Sequence, residues 1–250
     1  MNRFFVNPNA IDNNRVLFDA QQSHQIRHVL RLRSGAEVVV LDDQGWQYRV
    51  RMENTEDSEV TGWIVQRQRA GGEPAMDLIL FQGSLKRDKF EWVLQKGTEV
   101  GIAGFVPVVT QRSLVRKIEM KDSRLIRWQS IVREAAEQCG RGRIPRIQVP
   151  ISWEQSFQQS EDYALRLLAS TEADAIPIVQ ALQGPVPVGK RVALWIGPEG
   201  GFSDAELATA RRASIIPVSL GPRILRTETA AVVGATLWLY QWGQFTPQPD

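Results

Sequence analysis

Val192-Ala193-Leu194-Trp195-Ile196 runs directly into Gly197-Pro198-Glu199-Gly200-Gly201 and then, past Phe202, into Ser203-Asp204-Ala205-Glu206. The first five residues read as a strand, and the glycines make the next five a tight, conformationally permissive loop. Ser203 and Glu206, three apart, form a capping box that opens a helix. A loop at the carboxyl end of a strand is where open α/β sheets bind ligands. Taken alone, this one can also be read as a structural β-to-α turn, the less favoured alternative. The pattern recurs, however, because Ile216-Pro217-Val218-Ser219-Leu220 delivers a second strand into Gly221-Pro222-Arg223. Ile224-Leu225-Arg226-Thr227-Glu228-Thr229 and an apolar helix follow. Two such loops can line one crevice, and an arginine and a glutamate flanking a threonine are poorly explained as solvated surface.

A phosphate cradle is the competing reading of a glycine loop. Gly184-Pro185-Val186-Pro187-Val188-Gly189-Lys190 has P-loop spacing. Arg191 stands where the motif needs a magnesium-binding hydroxyl, two prolines remove backbone donors, and a strand rather than a helix follows. The G-x-G-x-x-G dinucleotide fingerprint is absent as well, so nucleotide-triphosphate and NAD chemistry are set aside.

Outward from these loops, β-like runs at Leu78 to Phe81, Val106 to Val109 and Leu165 to Leu168 alternate with helical patterns at Phe90 to Val100, Ser123 to Gln138 and Thr229 to Trp242. This is the signature of a mainly parallel sheet covered by helices. Toward the N-terminus the pattern changes to short β-prone runs, Glu37 to Leu41, Trp46 to Met52 and Val60 to Gln66. One helix is expected among them, because Ile26, Val29, Leu30 and Leu32 recur at helical spacing after a potential cap at Ser23. Ala70-Gly71-Gly72-Glu73-Pro74 reads as a linker. Two domains are therefore expected, a β-rich one over residues 1–72 and an α/β one over 73–250.

The chain has 250 residues, 43% hydrophobic, enough for a substantial core. Its formal charge is only +2, yet a pI near 8.8 permits a basic face. A single cysteine, Cys139, rules out an internal disulfide framework. Neither a signal peptide nor a membrane span is evident, so the expectation is a soluble, cytoplasmic protein. His24 and His28 share a helical spacing, but no carboxylate or further cysteine completes a metal set, so no metal is expected. Their neighbours Arg27, Arg31 and Arg33 suggest a basic helix that meets phosphates, with an ordinary solvated face as the alternative. From Arg112 to Arg146 ten basic residues, among them Arg116, Lys117, Arg133, Arg141 and Arg143, stand against four acidic ones, a pattern that fits a polyanion.

Five blocks of the sequence resemble a known family: His24-Gln25-Ile26-Arg27-His28-Val29-Leu30-Arg31, Gln95-Lys96-Gly97-Thr98-Glu99-Val100-Gly101, Glu134-Ala135-Ala136-Glu137-Gln138-Cys139-Gly140-Arg141, Ile196-Gly197-Pro198-Glu199-Gly200-Gly201-Phe202 and Leu225-Arg226-Thr227-Glu228-Thr229-Ala230. In this order they look like the signature blocks of the RsmE family of small-subunit ribosomal RNA uridine-N3 methyltransferases. The resemblance implies an N-terminal PUA-like RNA-binding β-barrel and a C-terminal SPOUT α/β methyltransferase domain threaded as a trefoil knot. It also implies a homodimer, with the helix from Ala230 to Trp242 serving the interface or the core, and 16S ribosomal RNA or the small subunit as partner. S-adenosylmethionine is the implied cofactor, gripped by Ile196, Gly197, Pro198, Glu199, Gly201, Leu220, Gly221, Ile224 and Leu225, with a third wall near Leu168 and Thr171. Arg3, Arg27, Arg31, Arg112, Arg133, Arg141 and Arg143 are the expected RNA contacts.

For such a reaction the sulfonium is already reactive, whereas uridine N3 is a poor nucleophile until it loses its proton. Arg226 is the expected stabiliser of the developing negative charge. Glu228 either takes the proton or orients Arg226, the second role being favoured. The base would have to be turned outward to reach such a site. Two rivals are a catalytically idle RNA-binding assembly factor on the same scaffold and a methyltransferase for another RNA position. Intact glycine loops and Arg226 argue against the first.

Overall fold

The computed structural model describes residues 1–55, 59–113 and 121–246. Arg116 and Lys117 of the basic stretch lie outside the described residues. The chain divides into two compact units, Met1–Glu73 with Ala136–Ile144, and Pro74–Ala135 with Pro145–Asp250.

In the first unit the strands are β1 (Arg3–Phe5), β2 (Ile11–Asp12), β3 (Arg15–Leu17), β4 (Glu37–Leu41), β5 (Trp46–Asn54) and β6 (Thr61–Arg69). They form one sheet in the order β1-β4-β5-β6-β3-β2, antiparallel except for β1 against β4. Alternate residues Val38, Val40, Val50 and Met52 point to one face and join Phe4, Val16 and Phe18 in a barrel-like core. Ile26, fully buried, plugs that core from a single π-turn over Gln25–Val29 that follows helix α1 (Ala20–His24). Asp19, not Ser23, caps this helix, in a capping box with Gln22. Ser23 is buried one turn inside it, donating its hydroxyl to Phe18 O, and Val29 is 66% exposed.

The second unit is a parallel sheet of β7 (Asp77–Gly83), β8 (Gly104–Val109), β9 (Arg146–Ile147), β10 (Ile151–Ser152), β11 (Leu165–Ala169), β12 (Ile176–Pro177), β13 (Arg191–Ile196) and β14 (Ile216–Ser219). Its order is β10-β8-β7-β13-β11-β14-β12, with β9 beside β8. Strands covered on both faces read as unbroken apolar runs, as Val192 to Ile196 does. On one face Ala193 and Trp195 join Phe81, Val106 and Leu168 under α4 (Trp153–Gln159) and α6 (Asp204–Arg212). The Phe81 and Trp195 rings stack 4.4 Å apart. On the other face α7 (Thr227–Gln241) packs on β7 and β13 and against α2 (Arg87–Val100). Gly234 lets α7 approach, since a Cβ there would stand 2.9 Å from Leu194 Cδ2. The helix expected over 229–242 thus serves the core through Ala231, Ala235, Trp238 and Leu239, while Val232, Val233 and Leu237 stay half-exposed and Tyr240 exposed.

Helix α3 (Asp122–Cys139) begins in the second unit, and its last turn belongs to the first. There Ala136 packs on Phe5 and Leu41, and Glu137 Oε1 accepts the Phe5 amide at 2.9 Å. Arg141, expected on RNA, is instead 3% exposed and paired with Glu73 at 2.7 Å, so it is a structural residue. Such a buried arginine requires its carboxylate, because removing the partner strands a charge.

At its other end α3 is tied to α2. Glu91 accepts two 2.6 Å bonds from Arg127 and one of 2.9 Å from Arg87. Chiefly through Arg127, these bonds hold the Glu91 carboxyl down to about 2. A carboxyl depressed on folding stabilises above its unfolded pKa and loses that contribution as pH falls toward its folded value. Glu91→Gln is therefore expected to cost about 1 kcal/mol at neutral pH, discounted for the exposed arginines. In urea titrations the gap to the parent should narrow between about pH 4 and pH 2. A gap that stays constant over that range would remove the charge from the account.

Candidate functional site

Strands β7, β13, β11 and β14 lie side by side and parallel, so their carboxyl ends share one edge of the sheet. Three loops leave that edge: residues 197–203 after β13, 170–175 after β11 and 220–226 after β14. The order in which the strands are laid down reverses between β7 and β13, the kind of switch point at which such sheets bind ligands.

Gly83, the last residue of β7, sets the spacing of this edge. A Cβ on it would fall 2.5 Å from both the Cδ and the N of Pro198. Beside it Gln82 is fully buried, with Nε2 donating to Thr227 Oγ1 at 3.1 Å and lying within 3.4 Å of the Gly83, Ile196 and Gly197 carbonyls. Thr227, first residue of α7, donates its hydroxyl to Gly197 O. The chain leaving β14 is thereby clasped to the loop leaving β13, and the two glycine loops read separately in the sequence become one site. A turn closed by Gly201 N to Pro198 O at 2.9 Å shapes the first loop, and Arg112 Nη1 braces it with 3.1 Å bonds to the Gly200 and Phe202 carbonyls. Arg112, expected on RNA, thus holds the loop in place.

Gly201 at φ +67° and Gly221 at φ +120° occupy the left-handed region, and a Cβ at either would meet nothing within 4 Å. Open space over bare backbone is what a cofactor gripped by main-chain groups requires. Beside it Ile224 is 89% exposed and Leu220 and Leu225 are half-buried, offering apolar surface. Ile196 and Leu168 are buried, so at these two positions only the backbone is presented. Thr171, on the loop after β11, is exposed.

Arg226 is the N-cap residue of α7, one position before the clasp. It is exposed, and its guanidinium has no hydrogen-bond or ion-pair partner among the described residues. Glu228, in the first turn, does not contact Arg226. Its Oε2 is buried without a hydrogen bond and lies 3.6 Å from Lys89 Nζ. Lys89 also reaches Glu199 Oε1 at 3.2 Å, and the Glu199 carboxylate holds its ammonium above the ordinary lysine value. The lysine spans from the β13 loop to the first turn of α7. Glu228 thus pairs with Lys89 rather than with Arg226.

The RNA methyltransferase domain family matches residues 72–239. The ribosomal RNA small subunit methyltransferase E of Bacillus subtilis is 30% identical over 225 residues, covering 88% of each chain. That of Synechocystis is 32% identical over 232 residues, 92% of this chain and 75% of its own. The crystal structure of the Neisseria gonorrhoeae ribosomal RNA small subunit methyltransferase E, bound to S-adenosyl methionine, superposes with a TM-score of 0.84 at 28% identity, covering 98% of this chain and 100% of its own. The chain belongs to the ribosomal RNA small subunit methyltransferase E family.

Within this methyltransferase the two glycine loops, Arg226 and Glu228 lie at one edge of the sheet. Gln82, Gly83 and Lys89 stand outside every motif of the sequence, and Thr227 stands inside one that gave it no role of its own. A polar Gln-Gly pair ending the apolar run Leu78 to Phe81 was the available signal. Of the expected RNA contacts, Arg31, Arg133 and Arg143 are exposed. Arg27 Nε donates to Ser23 O at 3.3 Å, and Arg3 Nη1 donates to Gln138 O at 3.3 Å, at the end of α3. Among the described residues no group of three potential ligands gathers to hold a metal, and no helix is long and apolar enough to cross a membrane.

The tight contact at Gly83 is testable without substrate. Gly83→Ala is expected to destabilise the protein by about 1–3 kcal/mol, because Pro198 backbone rather than a flexible side chain would have to move. Denaturant unfolding measures this, and parent-like stability would show that the loop yields freely.

Proposed function

We propose that the protein transfers a methyl group from S-adenosylmethionine to N3 of a uridine in the 16S RNA of the small ribosomal subunit, as a cytoplasmic homodimer. The observation that carries this reading is Arg226, an exposed guanidinium without a carboxylate partner, fixed one residue from the clasp between two open glycine loops. A catalytically idle scaffold has no use for that arrangement.

The backbone of Gly197 to Gly201 and Leu220 to Leu225 would hold the donor, with Ile224 and Leu225 covering its adenosine and Thr171 closing the third side. When bound, S-adenosylmethionine supplies an electrophilic methyl carbon. The work left to the protein is at the base. Uracil N3 becomes nucleophilic as its proton leaves, and the negative charge spreads to O2 and O4. Arg226 meets that charge with preorganised donors. Glu228 accepts the proton and passes it to solvent. Its Oε2 accepts no hydrogen bond and faces Lys89, which supports this role over orienting Arg226. Lys89 holds Glu228 in place while its other contact, Glu199, belongs to the donor loop. The products are 3-methyluridine and S-adenosylhomocysteine. Positioning of the extruded base against the methyl group accounts for much of the rate.

In this reading Arg27 and the exposed Arg31 and Arg143 offer basic surface to RNA on the first unit, and the exposed Arg133 does so on the second. The half-exposed apolar face of α7, continued by exposed Tyr240 and Phe245, supports the pairing of two copies. The path of residues 220–227 past the β13 loop suits the knotted threading of SPOUT enzymes.

Arg226→Ala is expected to leave S-adenosylmethionine affinity within about twofold by calorimetry and to lower kcat by about 100–1,000-fold. An equal loss of donor affinity would move Arg226 into the cofactor site. Mass spectrometry of ribosomal RNA from a deletion strain, with and without the gene restored, tests the substrate. Loss and recovery of one 3-methyluridine in 16S RNA is expected, and unchanged 3-methyluridine would refute the assignment.

A further inference from the structure

The sheet of the first unit carries a second constellation that the reaction does not use. On one face of the β5–β6 ladder Trp46 stands opposite Arg69 and Tyr48 opposite Arg67. Both guanidiniums lie over the Trp46 ring, at 4.0 Å for Arg67 and 3.9 Å for Arg69. Neither has a carboxylate partner among the described residues, whereas Arg15 and Arg51 on the same sheet are paired with Glu53 and Glu37. The ladder forms one wall of a concavity of about 330 Å³.

The floor of that concavity is built rather than incidental. Asp42, 4% exposed, accepts the amides of Gln44 and Trp46 on Oδ1 and the Tyr48 hydroxyl on Oδ2. This fixes the turn between β4 and β5 and the rotamers below it. Asn14, held at φ +64° in the two-residue turn between β2 and β3, and Gln44 stand at the rim. Both are exposed, and their side-chain amides make no hydrogen bond among the described residues. The pocket therefore offers a cationic and aromatic wall and two free amides, with the Asp42 carboxylate held at its floor by three hydrogen bonds.

We propose that this concavity binds one unpaired nucleotide of the RNA substrate, its base stacked on the Arg67–Trp46 surface and its phosphates on Arg67 and Arg69. Guanidinium planes and indoles are stacking platforms for splayed bases, and each base also carries an edge that free amides can hydrogen-bond. The volume lies at the lower end of ligand sites, about 300 Å³, and admits a single nucleotide rather than the face of a duplex. Unpaired nucleotides are to be expected beside a base that is extruded for methylation. The inference rests on the RNA-methylating reading for its ligand and adds a site on the N-terminal unit that anchors the strand.

The test uses the full chain, a fluorescent single-stranded RNA heptanucleotide of mixed sequence, the same sequence as a duplex, and anisotropy titrations at several salt concentrations. Arg67→Gln/Arg69→Gln and Trp46→Leu are each expected to weaken single-strand binding about 10-fold, the equivalent of one stacked base. The double variant should also lower the salt slope by about 1.4, at about 0.7 per phosphate contact on single strands. Trp46→Leu should leave duplex binding unchanged. No binding of the oligonucleotide by the parent, parent-like affinity in both variants, or an equal loss on the duplex would each overturn the proposal. Calorimetry with S-adenosylmethionine and methyl transfer to small subunits are measured in parallel. Failure of both in the parent would overturn the enzyme reading, while the oligonucleotide titrations would still decide the pocket.

Discussion

Gly83 meets Pro198 so closely that no side chain can stand between them. Around that contact Gln82 and Thr227 join the ends of β7 and β13 to the start of α7. Three segments distant in sequence are thus fixed to within a hydrogen bond of one another, and each carries part of the site. The β13 loop presents open backbone, the β14 loop presents Ile224 and Leu225, and α7 presents Arg226 and Glu228. The three carbonyl oxygens facing Gln82 Nε2 can only accept, so they also fix which way the amide points. Its Oε1 is left buried without a partner. An unsatisfied buried acceptor costs about 1–3 kcal/mol, and the site tolerates it where the chain must turn most tightly.

What could be read from the sequence was what local chemistry decides. The capping box at Ser203 and Glu206, the strand Val192 to Ile196 and the helices near 90–100 and 123–138 depend on neighbours within one or two turns. The cap of the N-terminal helix was misplaced for a related reason. Ser23 and Asp19 are both acceptable caps, and only the Gln22 side chain returning to Asp19 selects the second. Strand β1 was not legible, since its three residues gain their ladder from β4, more than thirty positions away. Nor was the clasp, because nothing near Thr227 announces a partner at Gly197.

The arginines show the same limit in electrostatic form. A basic stretch is a one-dimensional count, and the fold distributes its members among different tasks. Arg141 is consumed by Glu73, 68 positions earlier, and Arg127 by Glu91. Arg112 is spent on loop carbonyls and Arg3 on the end of α3. Captive guanidiniums of this kind order the structure and are poorly placed to bind a polyanion. The informative arginines are those that the fold leaves without carboxylates.

Among these Arg226 is the most unfavourably placed. It sits at the N-terminal end of a 15-residue helix, where the peptide dipoles and unsatisfied N–H groups disfavour a cation, and its side chain caps nothing. Serine, threonine, asparagine or aspartate there would contribute about 1 kcal/mol by capping. Stability therefore argues against arginine at this position. Packing does not argue for it either, because the residue is exposed. The same positive end of the helix that makes the arginine costly would help to gather negative charge onto the oxygens of a deprotonating uracil, adding to the guanidinium rather than competing with it. A residue that opposes its local structure while reinforcing the field needed one residue from the clasped loops is best explained by the chemistry carried out there.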